Sequence, residues 1–268
     1  MYSQHTGKVS DKWSSYLVVY DRILKSYRNQ KVRLLEIGVQ NGGSLEIWAK
    51  YFSNAKLIVG CDINPKCANL SYEDPRIHVL VGDATSDKVK SNLVKLSKSF
   101  DIIIDDGSHY SSDIIKSFAK YFPLLRCGGV YIVEDIHTSY WKKYEGGIFY
   151  PFSSITFLKH LVDVINYEHW GVKEKRESIL KGFFKKYNFQ IDAINLQSIH
   201  SITFLNSMCV IFKSEQENNT IGKRCVSGLV DDISKAERKV NNTLSVPQDQ
   251  KNNRWSDFDL PADEKFLE

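Results

Sequence analysis

Two short acidic segments of this sequence carry the side chains best suited to chemistry. The first is DDGSH at 105–109, and the second is EDIH at 134–137. Each follows an apolar run, 101–104 and 130–133, that predicts a buried strand. Adjacent parallel strands lie about 4.8 Å apart, so carboxylates at both strand ends would crowd one crevice. The spacing therefore predicts an acidic site at one edge of a sheet.

A divalent cation would explain why these acids are held together. Four like charges in one crevice are costly unless a cation neutralises them, and Mg²⁺ prefers oxygen ligands while keeping positions for water or substrate. We therefore predict Asp106, Glu134 and Asp135 as magnesium ligands. Asp105 faces another way along the chain and is predicted to contact a cofactor or to support the loop. The alternative interpretation is that these acids cap helices.

His109 follows Asp106 by three residues. A neutral imidazole at cytosolic pH can take a proton from a hydroxyl group, so we predict His109 as the catalytic base beside Asp106. The alternative is a surface histidine that only forms hydrogen bonds.

A glycine-rich loop, EIGVQNGGS at 36–44, joins an apolar run to a predicted helix. Glycine lets the backbone approach a ligand and present N–H groups to it. The loop lacks the G-x-G-x-x-G spacing of dinucleotide-binding folds. Its G-x-x-x-G-G spacing, with an acid two residues earlier, resembles the loop of S-adenosylmethionine-dependent methyltransferases. That resemblance implies cofactor contacts from Glu36, Gly38, Gly42 and Ser44; the alternative is a tight strand–helix turn.

Two further acids end the next apolar runs. Asp62 lies 24 residues after Gly38, where a carboxylate can accept hydrogen bonds from both hydroxyls of a ribose. Asp83 ends the third run, where the resemblance implies a contact to the adenine amino group. Each acid alone would be interpreted as a helix cap, but three acids in register with the loop favour a cofactor site.

Five apolar runs alternate with predicted helices, and almost every run ends in glycine or a carboxylate. Near-continuous apolar strands are typical of a parallel sheet covered on both faces. Two later segments, 189–199 and 203–213, are predicted to form an antiparallel pair. We therefore predict an α/β, doubly wound (Rossmann-like), mostly parallel seven-stranded sheet with an antiparallel last strand. The predicted division is a helical lid segment at 1–30, a catalytic domain at 31–214 and a polar, loosely ordered tail at 215–268.

Composition narrows the class of protein. Of the 268 residues, 42% are hydrophobic, which is enough for a sizeable core and excludes wholesale disorder. The formal charge of +4 is too diffuse to predict nucleic-acid binding. Five scattered cysteines favour a reducing compartment, and no apolar run approaches the roughly 18 residues of a membrane span. We therefore predict a cytoplasmic location.

With DDGSH and VEDIHTSYW in these positions, the sequence resembles the metal-dependent sugar O-methyltransferases of the mycinamicin and macrocin tailoring type. The stretches SDKWSSYLVVYDRIL, LLEIGVQNGGSLEIW and SIHSITFLNSMCVIFK also resemble that family, so the likeness covers about residues 8–213. It implies the class I methyltransferase fold, magnesium at Asp106, Glu134 and Asp135, His109 as base, and a homo-oligomer. Larger members carry an additional domain before this unit, so features that recognise a macrolide are not carried over.

These observations predict an S-adenosylmethionine-dependent, Mg²⁺-dependent O-methyltransferase. Its acceptor would be a sugar hydroxyl of a glycan precursor or of a glycosylated metabolite. Two alternatives stay open: a catechol-like vicinal diol as the acceptor, and a methyltransferase-like subunit that binds without turnover. An RNA methyltransferase is disfavoured, because no basic stripe with stacking aromatics is present.

Overall fold

The computed structural model describes residues 1–230, 232–234 and 237–258. Seven strands form one sheet in the order β3-β2-β1-β4-β5-β7-β6. β1 to β5 pair in parallel, whereas β7 is antiparallel to both of its neighbours. The predicted mostly parallel sheet with an antiparallel last strand is confirmed. The strands are β1 Arg33–Ile37, β2 Leu57–Asp62, β3 Ile77–Val81, β4 Phe100–Asp105, β5 Leu125–Val133, β6 Ile199–Leu205 and β7 Met208–Lys213.

Helices cover both faces of this sheet. Successive side chains of a strand point to opposite faces, so Leu34 packs with α1 and α2 on one face while Leu35 packs with α4 and α5 on the other. Ile102 and Ile103 of β4 divide in the same way. The helices are α1 Ser14–Leu24, α2 Gly43–Tyr51, α3 Asp87–Leu96, α4 Ser111–Tyr121, α5 Ser154–Ile165, α6 Lys181–Tyr187 and α7 Ala193–Gln197.

The strand order reverses between β1 and β4, and this position sets the location of the site. Helices that leave the two strands on opposite faces open a crevice at their carboxyl ends. Asp106 N–H donates to Ile37 O at 2.9 Å, so the two strand ends stay paired up to the crevice. A Cβ on Gly38, whose φ is +93°, would lie 1.9 Å from Asp106 O. Only glycine permits this approach.

Three predicted elements differ in the structure. The strand predicted at 189–199 is wrong, because Asp192 precedes the short helix α7, and β6 begins only at Ile199. The segment predicted as strand at 203–213 contains the turn of the β6–β7 hairpin, with Ser207 at a φ of +67°. At the amino end, the α-helix is confined to α1, and its buried residues are Tyr16, Tyr20 and Leu24.

The described part of the tail, at 215–230, 232–234 and 237–258, contains short 3-10 turns and one isolated bridge, between Lys223 and Leu244. The rest of the segment predicted as a loosely ordered tail lies outside the described residues. Among the described helices, none has the length and apolar character that a membrane crossing requires.

Candidate active site

One cleft of about 410 Å³ opens at the carboxyl ends of β1 to β5. Its volume falls in the range of pockets that hold small ligands. Both predicted groups of residues contribute to it: the glycine loop and the acids of β2 and β3 on one side, and the acids after β4 and β5 on the other. The predicted site residues that line it are Gly38, Ser44, Asp62, Asp83, Asp105, Asp106, His109 and Asp135.

Asp62 organises the glycine loop. Its Oδ2 accepts hydrogen bonds from the backbone N–H groups of Val39 at 2.8 Å and Gln40 at 2.9 Å. Its Oδ1 accepts from the N–H of Asn64 at 2.8 Å. The carboxylate therefore lies where β2 meets the loop after β1, and the loop is held open toward the cleft by a side chain that itself lines the cleft.

Glu36 lies behind the loop and does not line the cleft. It is fully buried and accepts hydrogen bonds from Ser44 Oγ at 2.6 Å and Trp48 Nε1 at 3.2 Å. Burial raises the pKa of Glu36, and the Lys12 ammonium, 3.8 Å away, acts against that rise. Of the two, only Ser44 reaches the cleft, so Glu36 fixes the start of α2 and positions the Ser44 hydroxyl.

Asp83 and Gly42, which were also predicted on the cofactor side, have different surroundings. Asp83 is exposed, and its Oδ1 accepts from the backbone N–H and the hydroxyl of Thr85 at 2.7 and 2.8 Å. Gly42, with a φ of +83°, precedes α2, and its carbonyl accepts from the Tyr72 hydroxyl at 3.2 Å. Gly42 therefore shapes the loop from outside the cleft lining.

Asp105 is buried at the floor of the cleft. Burial raises the pKa of its carboxyl to about 7, and hydrogen bonds from the Gly107 backbone N–H and the Tyr131 hydroxyl limit the rise. The Tyr131 hydroxyl lies 3.3 Å from Asp105 Oδ2. Near neutral pH this carboxyl can therefore accept or donate a hydrogen bond to a ligand in the cleft.

The acid cluster places an imidazole between two carboxylates. His109 Nε2 lies 3.8 Å from Asp106 Oδ1 and 3.6 Å from Asp135 Oδ2. One ligand atom from each of the three residues lies within 4.8 Å of the others, which is compact enough to surround a cation. His109 and Asp135 both adopt left-handed backbone conformations, with φ of +61° and +54°. Such conformations are uncommon outside glycine, and here both occur where side chains converge on the cleft.

Glu134 is positioned by the amino-terminal part of the chain. Its side chain is buried, and Oε1 accepts hydrogen bonds from Lys12 Nζ at 2.7 Å and from the Tyr20 hydroxyl. The same ammonium lies 2.5 Å from Asp106 Oδ2. Glu134 therefore faces Asp106 across Lys12, whereas Asp135 faces Asp106 across His109.

Asp135 is also held by Tyr16 of α1 and by Trp13, the residue just before that helix. Its Oδ1 accepts from the Tyr16 hydroxyl at 2.7 Å and from Trp13 Nε1 at 3.0 Å. These contacts were not predicted from the sequence. Trp13, Tyr16 and Tyr20 recur at three- and four-residue spacing, which predicts a buried helix face. Their N–H and O–H groups are the sequence feature that could have indicated hydrogen bonds to the acids. Lys12 lies just ahead of that face and has no comparable signal.

The chemistry of these residues fits both predicted ligands. The carboxylates of Asp106, Glu134 and Asp135 are hard oxygen donors of the type that Mg²⁺ prefers. The Lys12 ammonium already contacts two of these carboxylates, so the cluster accommodates a cation at this position. On the other side, the Gly38 loop and Asp62 offer a close backbone approach and a carboxylate, as a nucleoside with a charged tail would require.

The sequence of residues 35–136 matches the family described as a methyltransferase domain. A 2'-O-methyltransferase of 8-demethyl-8-alpha-L-rhamnosyl tetracenomycin-C from Streptomyces olivaceus is 36% identical over 177 residues, which is 62% of this chain and 46% of the relative. Demethylmacrocin O-methyltransferase from Streptomyces fradiae is 38% identical over 173 residues, which is 60% of this chain and 43% of the relative. The chain thus spans less than half the length of these relatives.

A solved structure agrees with these matches. The MycE methyltransferase from the mycinamycin biosynthetic pathway, in complex with Mg, SAH and mycinamycin VI, superposes with a TM-score of 0.62 at 28% identity. The match covers 78% of this chain and 52% of MycE. The resemblance predicted from DDGSH and VEDIHTSYW is confirmed. Residues 35–136 match a methyltransferase-domain family, and the chain is similar to sugar O-methyltransferases over the part that it shares with them.

Proposed function

We propose that the chain is an S-adenosylmethionine-dependent, Mg²⁺-dependent O-methyltransferase that acts on a sugar hydroxyl of a glycan precursor or glycosylated metabolite. The observation that carries this proposal is that one cleft is lined both by the glycine loop and by Asp106, His109 and Asp135, whereas Glu134 lies behind its lining. A cofactor bound along the loop would then lie beside an acceptor bound at the acids. The names of the relatives, and the Mg and SAH in the MycE complex, support the same assignment.

The cofactor side would bind the nucleoside and its tail. Asp62 would accept hydrogen bonds from the ribose hydroxyls, and Asp83 would accept one from the adenine amino group. The Gly38 loop and the Ser44 hydroxyl would contact the methionine half. Asp105, whose pKa is raised to about 7, would form the floor beneath it.

On the acceptor side, Asp106, Glu134 and Asp135 would hold the metal ion. Bound Mg²⁺ lowers the pKa of a hydroxyl that it coordinates, and S-adenosylmethionine supplies an electrophilic methyl group. His109 would take the hydroxyl proton at Nε2. The resulting imidazolium would be stabilised by the Asp106 and Asp135 carboxylates, which lie 3.8 and 3.6 Å from that nitrogen. Holding acceptor and donor in line would supply much of the remaining acceleration.

The test is methyl transfer by the purified chain, measured by mass spectrometry with a methyl rhamnoside as the acceptor. We expect turnover to stop in EDTA and return with Mg²⁺, while S-adenosylhomocysteine binding, measured by calorimetry, survives the chelator. Full turnover in EDTA would show that the acids have only a structural role.

A parallel reaction with catechol separates the acceptor classes. We expect the sugar to be methylated faster than catechol at equal concentration. Methylation of catechol alone would contradict the sugar assignment and leave the metal mechanism in place.

A further inference from the structure

The buried ammonium of Lys12 lies close to three carboxylates of the site. Its side chain is only 5% exposed, and its ammonium contacts Asp106 and Glu134 directly, with Glu36 at 3.8 Å. Burial alone would lower the pKa of Lys12, but the neighbouring carboxylates more than offset this effect and raise it. Two hydrogen-bonded carboxylates favour the charged form of this lysine, so a cation lies between the two acids.

That position is the one that a metal ion would need. Glu134 Oε1 and Asp106 Oδ2 are bridged by the ammonium at 2.7 and 2.5 Å, distances that leave no room for another cation between them. A divalent ion that ligates both residues would also repel the ammonium. For Glu134 Oε1 and Asp106 Oδ2 to ligate one metal ion at this position, the Lys12 ammonium must leave it.

We propose that Lys12 is a built-in counter-ion that Mg²⁺ replaces, so that metal binding is an exchange of one cation for another. This inference rests on the metal site of the proposed function. It assigns Lys12 the role of a positioning residue that keeps Asp106 and Glu134 paired and their charge balanced before the metal arrives.

The exchange would reach the segment that carries Lys12. Residues 9–12 line the cleft next to the glycine loop, and Val9 O accepts from the N–H of Gly43 at 3.2 Å. Lys8 Nζ binds Glu46 of α2 at 2.9 Å, which anchors the other end of the segment. Release of Lys12 would free one attachment and leave the other two in place, so metal binding would change the mobility of residues 9–12.

The first test is Mg²⁺ calorimetry on Lys12→Met, which removes the charge but keeps the length of the side chain. We expect the Kd for Mg²⁺ to fall tenfold or more, about 1.4 kcal/mol, because the competing cation is gone. Lys12→Arg should bind Mg²⁺ within about threefold of the wild type, since it keeps the charge. Lys8→Met is the matched control from the same segment and should leave the Kd unchanged.

A change of the Kd for Mg²⁺ in the opposite direction would contradict the proposed cation exchange. If Lys12→Met binds Mg²⁺ as the wild type does, or more weakly, then Lys12 is a permanent partner that supports the ligands. If wild type and Lys12→Met both fail to bind Mg²⁺, the proposed metal site itself is wrong, and the exchange falls with it.

A second measurement needs no variant and remains informative if Lys12→Met does not fold. Hydrogen–deuterium exchange of the Gly43 amide, which donates to Val9 O, should become faster when Mg²⁺ is added to the cofactor-free wild-type protein. Unchanged or slower exchange at a saturating Mg²⁺ concentration would contradict the release of Lys12.

Discussion

The two halves of the cleft hold their acids in different ways. On the cofactor side, Asp62 and Asp83 accept hydrogen bonds from backbone N–H groups that lie between 2 and 23 residues away in sequence. On the acceptor side, Asp106, Glu134 and Asp135 are held by side chains 94 to 122 residues away. The first half is built by the local turns of the sheet, and the second depends on the docking of α1.

This difference predicts which property each half controls. The cofactor-side carboxylates bind backbone N–H groups of the glycine loop and of nearby turns, so a change there should affect that loop and cofactor binding and leave the metal site intact. On the acceptor side, a carboxylate shares its partners with its neighbours through Lys12 and His109. Substitution of an acceptor-side carboxylate should therefore affect the metal site, the catalytic base and the docking of α1 together.

The largest expected effect comes from His109→Ala. Turnover should fall by about 10²–10⁴-fold, because the group that accepts the hydroxyl proton is lost. Mg²⁺ and S-adenosylhomocysteine affinities, measured by calorimetry, should stay within about threefold of the wild type. Raising the pH should partly restore turnover, since more of the acceptor is already deprotonated.

The matched control is His137→Ala, which removes a second imidazole near Asp135. His137 Nδ1 lies 3.8 Å from Asp135 Oδ1 and hydrogen-bonds to the Ser207 hydroxyl. We expect this variant to keep most of its turnover. If His109→Ala instead loses Mg²⁺ binding, then His109 is a metal ligand, as its proximity to Asp106 and Asp135 permits, and another group is the base.

The cofactor half was predictable from sequence because its residues lie at the ends of successive strands and bind groups that are near in sequence. The apolar runs end at Gly38, Asp62 and Asp83, and parallel strands bring their carboxyl ends to one edge. Strand register alone therefore places these residues in the cleft. The sequence does not show that Asp62 also closes the glycine loop, because that bond depends on the loop's backbone direction.

The acceptor half was predictable only in part. Asp106 and Asp135 follow from the ends of β4 and β5, but the partners of Glu134 do not. Lys12 contacts Glu134 only when α1 is packed against the sheet. The spacing of apolar residues along the chain does not predict a contact between residues so far apart in sequence. The strand predicted at 189–199 is wrong because residues 193–197 form the short helix α7, whose Leu196 is buried and which contacts α5.

A smaller effect is expected from Asp62→Ala. The variant loses the carboxylate that we propose for the ribose and also the acceptor for the N–H groups of Val39 and Gln40. S-adenosylhomocysteine affinity should fall tenfold or more, about 1.4 kcal/mol, while Mg²⁺ affinity remains unchanged. Asp87→Ala is the control, because this exposed acid pairs with Lys120 outside the cleft. Unchanged cofactor affinity in folded Asp62→Ala would refute the proposed register of the cofactor.

The smallest expected effect is a change in the pH dependence of stability in Asp105→Asn. The pKa of Asp105 is raised by burial to about 7, whereas an unfolded chain has a carboxyl pKa of about 3.9. Between these values the folded protein binds the proton more tightly than the unfolded chain does. The contribution of Asp105 to stability is therefore complete below about pH 4 and is lost as the pH rises toward 7.

An asparagine cannot titrate, so Asp105→Asn lacks this loss. Relative to the wild type, the variant should gain about 1 kcal/mol of stability between pH 6 and 7, measured by urea unfolding in EDTA with no cofactor present. The chelator keeps the acid cluster free of metal throughout, so Mg²⁺ binding does not contribute to the difference between the two proteins. A stability difference that stays constant across this range would mean that Asp105 is ionised in the folded protein. The floor of the cofactor half would then carry a full negative charge, and the two halves of the cleft would be equally acidic.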